Sequence, residues 1–242
     1  MACHADNAHA AKIAVEAAFA AIGRVDRLMH PSRIGSDLLA IRQLVEGSAV
    51  VDPWTWAVLR AATQLHVESN GLFDPCRADS AGRIGDLRLD EPNRVESERP
   101  LAIDLGGIAK GFAVDRAIDA LRDHGCAAAE VNAGGDLRVF GADACDVWVR
   151  AGGACRPIRL RDSACAVSDA TAIEPPPEHL GYLRRGAAET NIGVAGSAVI
   201  LAPAAMWADG LATYAMVCRS PAELARFRAV LEAHDARRLD IG

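Results

Sequence analysis

The sequence predicts an α+β fold, and three observations carry that expectation. Several long stretches repeat apolar residues at helical spacing. Short apolar runs bounded by glycine, proline or asparagine read as strands. The two kinds of segment do not alternate as regular βαβ units would. With 242 residues, no internal repeat and no strong linker, the expected organisation is a single domain over 1–242, with room for two lobes.

Taken in order, Val15, Ala18, Phe19 and Ile22 predict an alanine-rich helix from about Ala8 to Leu28, broken by Met29-His30-Pro31-Ser32. Ser36 is a suitable N-cap for a shorter helix through Leu38, Leu39 and Ile41. Asp52-Pro53 opens a third helix that stops near Asn70-Gly71. The polar, proline-bounded stretch from Arg77 to Pro100 reads as a loop with one short strand. Leu101 to Asp104 reads as a strand, and Val114, Ala117, Ile118 and Leu121 mark the core face of a helix closed by Gly125. Ala127 to Asn132 and Leu137 to Phe140 then predict strands around the turn Ala133-Gly134-Gly135-Asp136, with Val147 to Val149 and Ile158 to Leu160 continuing that sheet. Pro175-Pro176-Pro177 marks a loop and Ser197 to Ala202 a strand. Pro203 is the expected start of one helix, and Pro221 to His234 forms the last.

Composition narrows the function classes. A formal net charge of −6 gives no electrostatic footprint for nucleic acid. The absence of a run of about 18 apolar residues predicts no membrane span. The N-terminus lacks a basic segment followed by an apolar one, so no secretory signal is read. Seven scattered cysteines without a Cys-x-x-Cys pair suggest reduced thiols and a cytoplasmic location. The seven histidines contain no His-x-x-x-His pair.

The densest chemistry lies in Ile103 to Asp115. An aspartate, Asp104, ends an apolar run; Gly106 and Gly107 let backbone approach a ligand; and a helix begins with free N–H groups, an arrangement that holds anions. Lys110 falls in the first helical turn, where its charge opposes the helix dipole and suits a facing anion. A capping aspartate, a tight turn and a solvated lysine would give the same local pattern. Asp209 and Thr213, four residues apart, project from one helix face and offer the hard oxygens that magnesium accepts; a first-turn aspartate complementing the dipole and a back-bonded threonine would look alike. Gly71-Leu72-Phe73-Asp74-Pro75 reads locally as a helix stop and turn. Asn132 to Asp136 reads as a hairpin turn or as a glycine surface for a flat ring.

In their order, these segments resemble the ApbE family, the FAD:protein FMN transferases. The family's D-L-G-G-I-A-K-G-[YF]-A-V-D is matched without a gap from Asp104 to Asp115. Its G-G-x-F-D-P is matched loosely by Asn70 to Pro75, its V-N-x-G-G-D by Val131 to Asp136, and its A-D-x-L-A-T by Ala208 to Thr213. The resemblance covers roughly residues 13 to 218 and implies a T-fold-like α+β core of mixed antiparallel sheets flanked by helices. It also implies that Asp104 and Lys110 contact FAD, that Leu72, Phe73 and Asp74 line the flavin nucleotide, and that Gly107, Asp209 and Thr213 hold Mg2+.

The implied reaction moves FMN from FAD to a threonine or serine hydroxyl of an acceptor protein that carries a flavinylation motif, releasing AMP. The family's H-I-I-D-P-x-T-G segment is reduced here to His179-Leu180-Gly181-Tyr182-Leu183-Arg184-Arg185-Gly186, which keeps the histidine and last glycine. His179 is the candidate for assisting proton removal, with Leu180 beside the flavin. The family's N-terminal M-G-T strand is expected to be absent, and the tyrosine often found before S-E-L falls near Ser32. The alternatives are a magnesium-dependent FAD pyrophosphatase giving FMN and AMP, and a non-catalytic FAD-binding protein. A homodimer is among the assemblies the sequence leaves open.

Overall fold

The structure, a computed structural model, describes residues 1–44, 47–77, 79–90, 92–170 and 196–241. Its frame is a six-stranded sheet in the order β1-β5-β6-β9-β10-β11, with every neighbouring pair antiparallel. These strands are β1 (Ala2–His4), β5 (Ala128–Ala133), β6 (Asp136–Phe140), β9 (Ala164–Asp169), β10 (Ser197–Ala202) and β11 (Arg237–Leu239). A three-stranded sheet joins β2 (Ser48–Val50), β4 (Arg94–Glu96) and β3 (Arg88–Asp90), and among the described residues β7 (Cys145–Ala151) pairs only with β8 (Ala154–Leu160). The α+β expectation with antiparallel sheets holds.

Both faces of the large sheet are covered, and strand alternation divides its residues between two cores. On β10, Ala198, Ile200 and Ala202 enter the main core, while Val199 and Leu201 turn to a smaller core beneath the β7–β8 hairpin. The main core is closed by α1 (Ala8–Met29), α3 (Pro53–Glu68), α4 (Ala109–Asp123) and α5 (Ala205–Val217), with α2 (Asp37–Arg42) and α6 (Pro221–Ala233) at its margins. On β6 the same alternation sends Leu137 and Val139 to the hairpin side. Asp136, Arg138 and Phe140 therefore face the helices.

The helices form where capping and periodicity place them. The Asn7, Ser36, Asp52 and Ser220 side chains each accept a first-turn N–H. α3 ends where Asn70 and Gly71 take positive φ (57° and 80°), as the Asn-Gly stop requires.

Five local expectations need correction. Leu101 to Asp104 is not a strand: it makes a single bridge, Cys76 to Ile103, because the chain runs straight from Pro100 into the turn before α4. The Arg77 to Pro100 stretch holds the strands β3 and β4, which pair with each other, and β4 also pairs with β2, a strand too short to show alternation. Val147 to Val149 and Ile158 to Leu160 do not extend the main sheet; they fold over its far face as their own hairpin. An N-terminal strand is present without the M-G-T residues, since Ala2 to His4 pair with Ala128 to Glu130 at the sheet edge. Pro203 precedes rather than begins α5, whose N-cap is Ala204. The Pro175–177 loop lies outside the described residues.

Candidate active site

The α4 N-terminus is built without a side-chain cap of its own. Asp104 accepts from the Gly106 N–H at 3.0 Å and holds the turn, and Leu105 O takes the Ile108 and Ala109 N–H groups. The next free donor, Gly111 N–H, is met from another helix: Asp209 Oδ2 on α5 accepts it at 3.0 Å. The favour is returned, because Asp115 on α4 accepts the Ala205 and Met206 N–H groups at the α5 N-terminus, both at 2.9 Å. Each helix is thus capped by an aspartate of the other, which fixes both positive dipole ends at one place. Arg138 on β6 holds Asp115 Oδ1 at 2.7 Å.

Close approach of the helices depends on Gly111. A Cβ there would stand 2.1 Å from the Ala205 carbonyl oxygen and 2.8 Å from Asp209 Cβ.

Lys110 reaches across this junction. Its Nζ donates to Asp136 Oδ2 at 2.6 Å and lies 3.8 Å from Asp209 Oδ1. Both carboxylates are almost fully buried, Asp136 at 1% exposure and Asp209 at 2%. Burial pushes the Asp209 carboxyl up to about 7; the charge of Asp136 adds to this, while Lys110 and the Gly111 N–H oppose it. Burial likewise raises Asp136, against the pull of Lys110. For Lys110 burial disfavours the charge, but Asp209 and Asp136 outweigh it and its pKa rises. One ammonium therefore serves two buried carboxylates, and Asp136 Oδ1 has no hydrogen-bond partner among the described residues.

Beside the junction lies a narrow cleft of about 20 Å³, lined by Leu72, Phe73, Asp74, Asp104, Gly107 and Thr213, with Pro75, Leu105, Ile108 and Val217. Six of the residues named from the sequence meet there. Asp209 sits behind it, one turn from Thr213 on α5, so the Gly107 turn and the α5 face are adjacent walls. Lys110 stands on a second cleft, which shares Asp104 and is lined on the α1 side by Ile22, Val25, Met29, His30 and Pro31.

Asp74 has its own task. Its Oδ1 accepts the Cys76 and Ile84 N–H groups (3.0 and 3.2 Å), and Oδ2 lies 3.5 Å from Arg83 Nη1, so its carboxylate pins the loop under Phe73. His179 and Leu180 lie outside the described residues. Sequence reasoning did not single out Asp136, Asp115 or Arg138 as site residues; Asp136 and Asp115 each end a recognised motif, which was the available signal.

The donor set fits a divalent cation. Among the described residues no cluster of three or more His, Cys, Asp or Glu side chains could cage a metal alone. An excess of buried carboxylate over ammonium, a carboxylate oxygen without a hydrogen-bond partner among the described residues, and Gly107 and Thr213 lining one cleft suit an ion that takes further oxygens from a phosphate substrate.

Antiparallel sheets covered by helices, with two helix N-termini joined beside a cleft, place the chain in the α+β class. Comparison narrows it. The ApbE family model matches residues 77–168. The chain shares its fold with the ApbE protein from Thermotoga maritima (22% identity, TM-score 0.77, covering 94% of this chain and 85% of that one). The flavin transferase ApbE from Vibrio cholerae is similar at 21% identity and TM-score 0.74, with 94% and 84% covered. The flavinyl transferase ApbE from Pseudomonas stutzeri is similar at 21% and 0.73, with 89% and 78% covered. No curated protein matches the chain. The likeness to the ApbE family is shown by the family model over 77–168 and by the common fold.

Proposed function

We propose that the chain is a magnesium-dependent FAD:protein FMN transferase. The observation that carries this reading is the Lys110, Asp136 and Asp209 cluster at two joined helix N-termini, beside a cleft walled by Gly107 and Thr213. In the reaction, an acceptor threonine or serine oxygen bonds to the FMN phosphorus, the pyrophosphate P–O bond to AMP breaks, and the hydroxyl proton is released.

Gly107, Asp209 and Thr213 would hold Mg2+, which supplies an offset for negative charge growing on the pyrophosphate. Lys110 binds phosphate oxygens, its charge maintained by the two aspartates. Asp104, standing between the two clefts, orients the dinucleotide while its Oδ1 keeps the glycine turn closed. Leu72 and Phe73 supply an apolar wall, and Asp74 holds that wall in place. On the resemblance, His179 assists proton removal and Leu180 lies beside the flavin. No helix among the described residues is long and apolar enough to cross a membrane; the scattered cysteines without a Cys-x-x-Cys pair favour a reducing, cytoplasmic setting.

The test is incubation with FAD and Mg2+, with and without an acceptor bearing a D-x-x-[ST]-G-A-[TS] segment, reading AMP and protein-bound flavin fluorescence. AMP and covalent flavin that both require the acceptor are expected. AMP released at the same rate without acceptor would make the chain a pyrophosphatase, and FAD bound without turnover would make it a binding protein. Asp209→Ala should lower turnover by about a hundredfold or more, in the range of other groups that stabilise developing charge. Wild-type turnover in that variant would remove the metal assignment.

A further inference from the structure

Among the junction carboxylates, Asp136 neither caps a helix nor is assigned to cation or dinucleotide, and its setting is specific. Asp136 is the first residue of β6, delivered by a two-residue turn in which Gly134 and Gly135 both take positive φ (73° and 114°). Strand alternation turns its side chain to the helix side, where it is 1% exposed. Oδ2 takes the Lys110 ammonium at 2.6 Å and Oδ1 has no partner among the described residues.

From this placement we propose that Asp136 is a positioning residue that makes dinucleotide binding depend on the cation. It does so in two ways. Asp136 ties up the one ammonium at the junction, so that Lys110 answers a buried carboxylate before it answers a phosphate. It also adds negative charge that repels a pyrophosphate and draws in a divalent ion. A dinucleotide arriving without the cation meets a site whose lysine is already paired and whose balance is negative. With the cation present, the excess charge is offset, and Asp136 keeps Lys110 seated next to Asp209 against cation repulsion. This inference rests on the proposed FAD reading and names how binding at that site is regulated.

The test measures FAD affinity by flavin fluorescence without Mg2+, and the Mg2+ concentration that half-saturates FAD binding, in the absence of acceptor. Asp136→Asn keeps the shape and removes the charge. It should tighten metal-free FAD binding about fivefold or more and raise the half-saturating Mg2+ by a similar factor, as a unit charge several ångströms away implies. Lys110→Met should do the reverse, weakening metal-free FAD binding and lowering the Mg2+ needed. A purely structural Asp136 would instead weaken FAD binding with and without Mg2+, and that result, or no change, overturns the proposal. Should Asp136→Asn fail to fold by circular dichroism, the Lys110→Met pair of shifts decides alone: opposite or absent shifts refute it. If the wild type binds no FAD at any Mg2+ concentration, the FAD reading itself falls, an outcome distinct from bound FAD with unshifted variants.

Discussion

Gly111→Ala separates helix propensity from packing at the point where the site is assembled. In an exposed helix interior, alanine is worth about 1 kcal/mol more than glycine, so propensity alone would make this substitution stabilising. Here the added methyl would sit 2.1 Å from the Ala205 carbonyl oxygen, 2.5 Å from its carbon and 2.8 Å from Asp209 Cβ. Two of the three atoms are backbone, so no rotamer change relieves them, and α5 must move away from α4. Overpacking of this kind costs about 1–3 kcal/mol, occasionally more, and loss of the Gly111 N–H to Asp209 bond, made to a charged acceptor, adds about 1.5–3 kcal/mol. After the propensity gain, the expected net loss is roughly 1.5–5 kcal/mol. At about 2–4 °C per kcal/mol for a chain of this size, that is about 3–20 °C in Tm. The control is Gly23→Ala in α1, where the new methyl meets only the flexible tip of Arg27 at 3.4 Å; it should gain about 0.5–1 kcal/mol. Thermal unfolding of both variants by circular dichroism is the assay, with turnover of FAD measured on the same samples. If Gly111→Ala raised Tm as Gly23→Ala does, the close crossing of α4 and α5 would be wrong.

Asp115→Ala removes both α5 N-terminal acceptors and takes from the Arg138 guanidinium its carboxylate partner; urea unfolding should show a loss of about 3 kcal/mol or more, and a loss under 1 kcal/mol would deny the reciprocal capping. Asp209 also couples stability to pH. Its carboxyl, raised to about 7, binds a proton more tightly folded than unfolded, so the stability it contributes in metal-free protein is greatest below the ordinary carboxylate range and is lost as pH climbs toward 7. A cation competes with that proton, so the Tm gain on adding Mg2+ should grow from pH 5 to about 7 and then level; a gain independent of pH would mean that Asp209 is not a ligand.

The helices were legible because their signals are local. Ser36 and Asp52 cap within three residues, Asn70-Gly71 stops α3, and the α4 periodicity spans its whole length. What was not legible depends on partners far away in the chain. The residues of β7 and β8 show strand character, but nothing in them says which sheet they join. β1 and β2 have three residues each, too few for alternation to declare itself. Asp209 and Thr213 were named from spacing and motif order, whereas the bond that anchors Asp209 comes from Gly111, 98 positions earlier.

Asp136 is the instructive omission, since the information was present at two separate places. Alternation along β6 puts Asp136 and Arg138 on one face and Leu137 and Val139 on the other. A carboxylate and a guanidinium two residues apart on a covered face each require a partner of opposite charge from whatever covers it. The Asp104 to Asp115 motif offers one of each sign, Lys110 and Asp115, on the helix that the fold packs against that strand. Matching them in charge gives Lys110 to Asp136 and Asp115 to Arg138, the two pairs found at 2.6 and 2.7 Å. The step was hidden because both faces of β6 are buried, so alternation alone cannot tell which face the helix covers. Charge complementarity between strand and helix can, and it locates the junction on which the proposed chemistry rests.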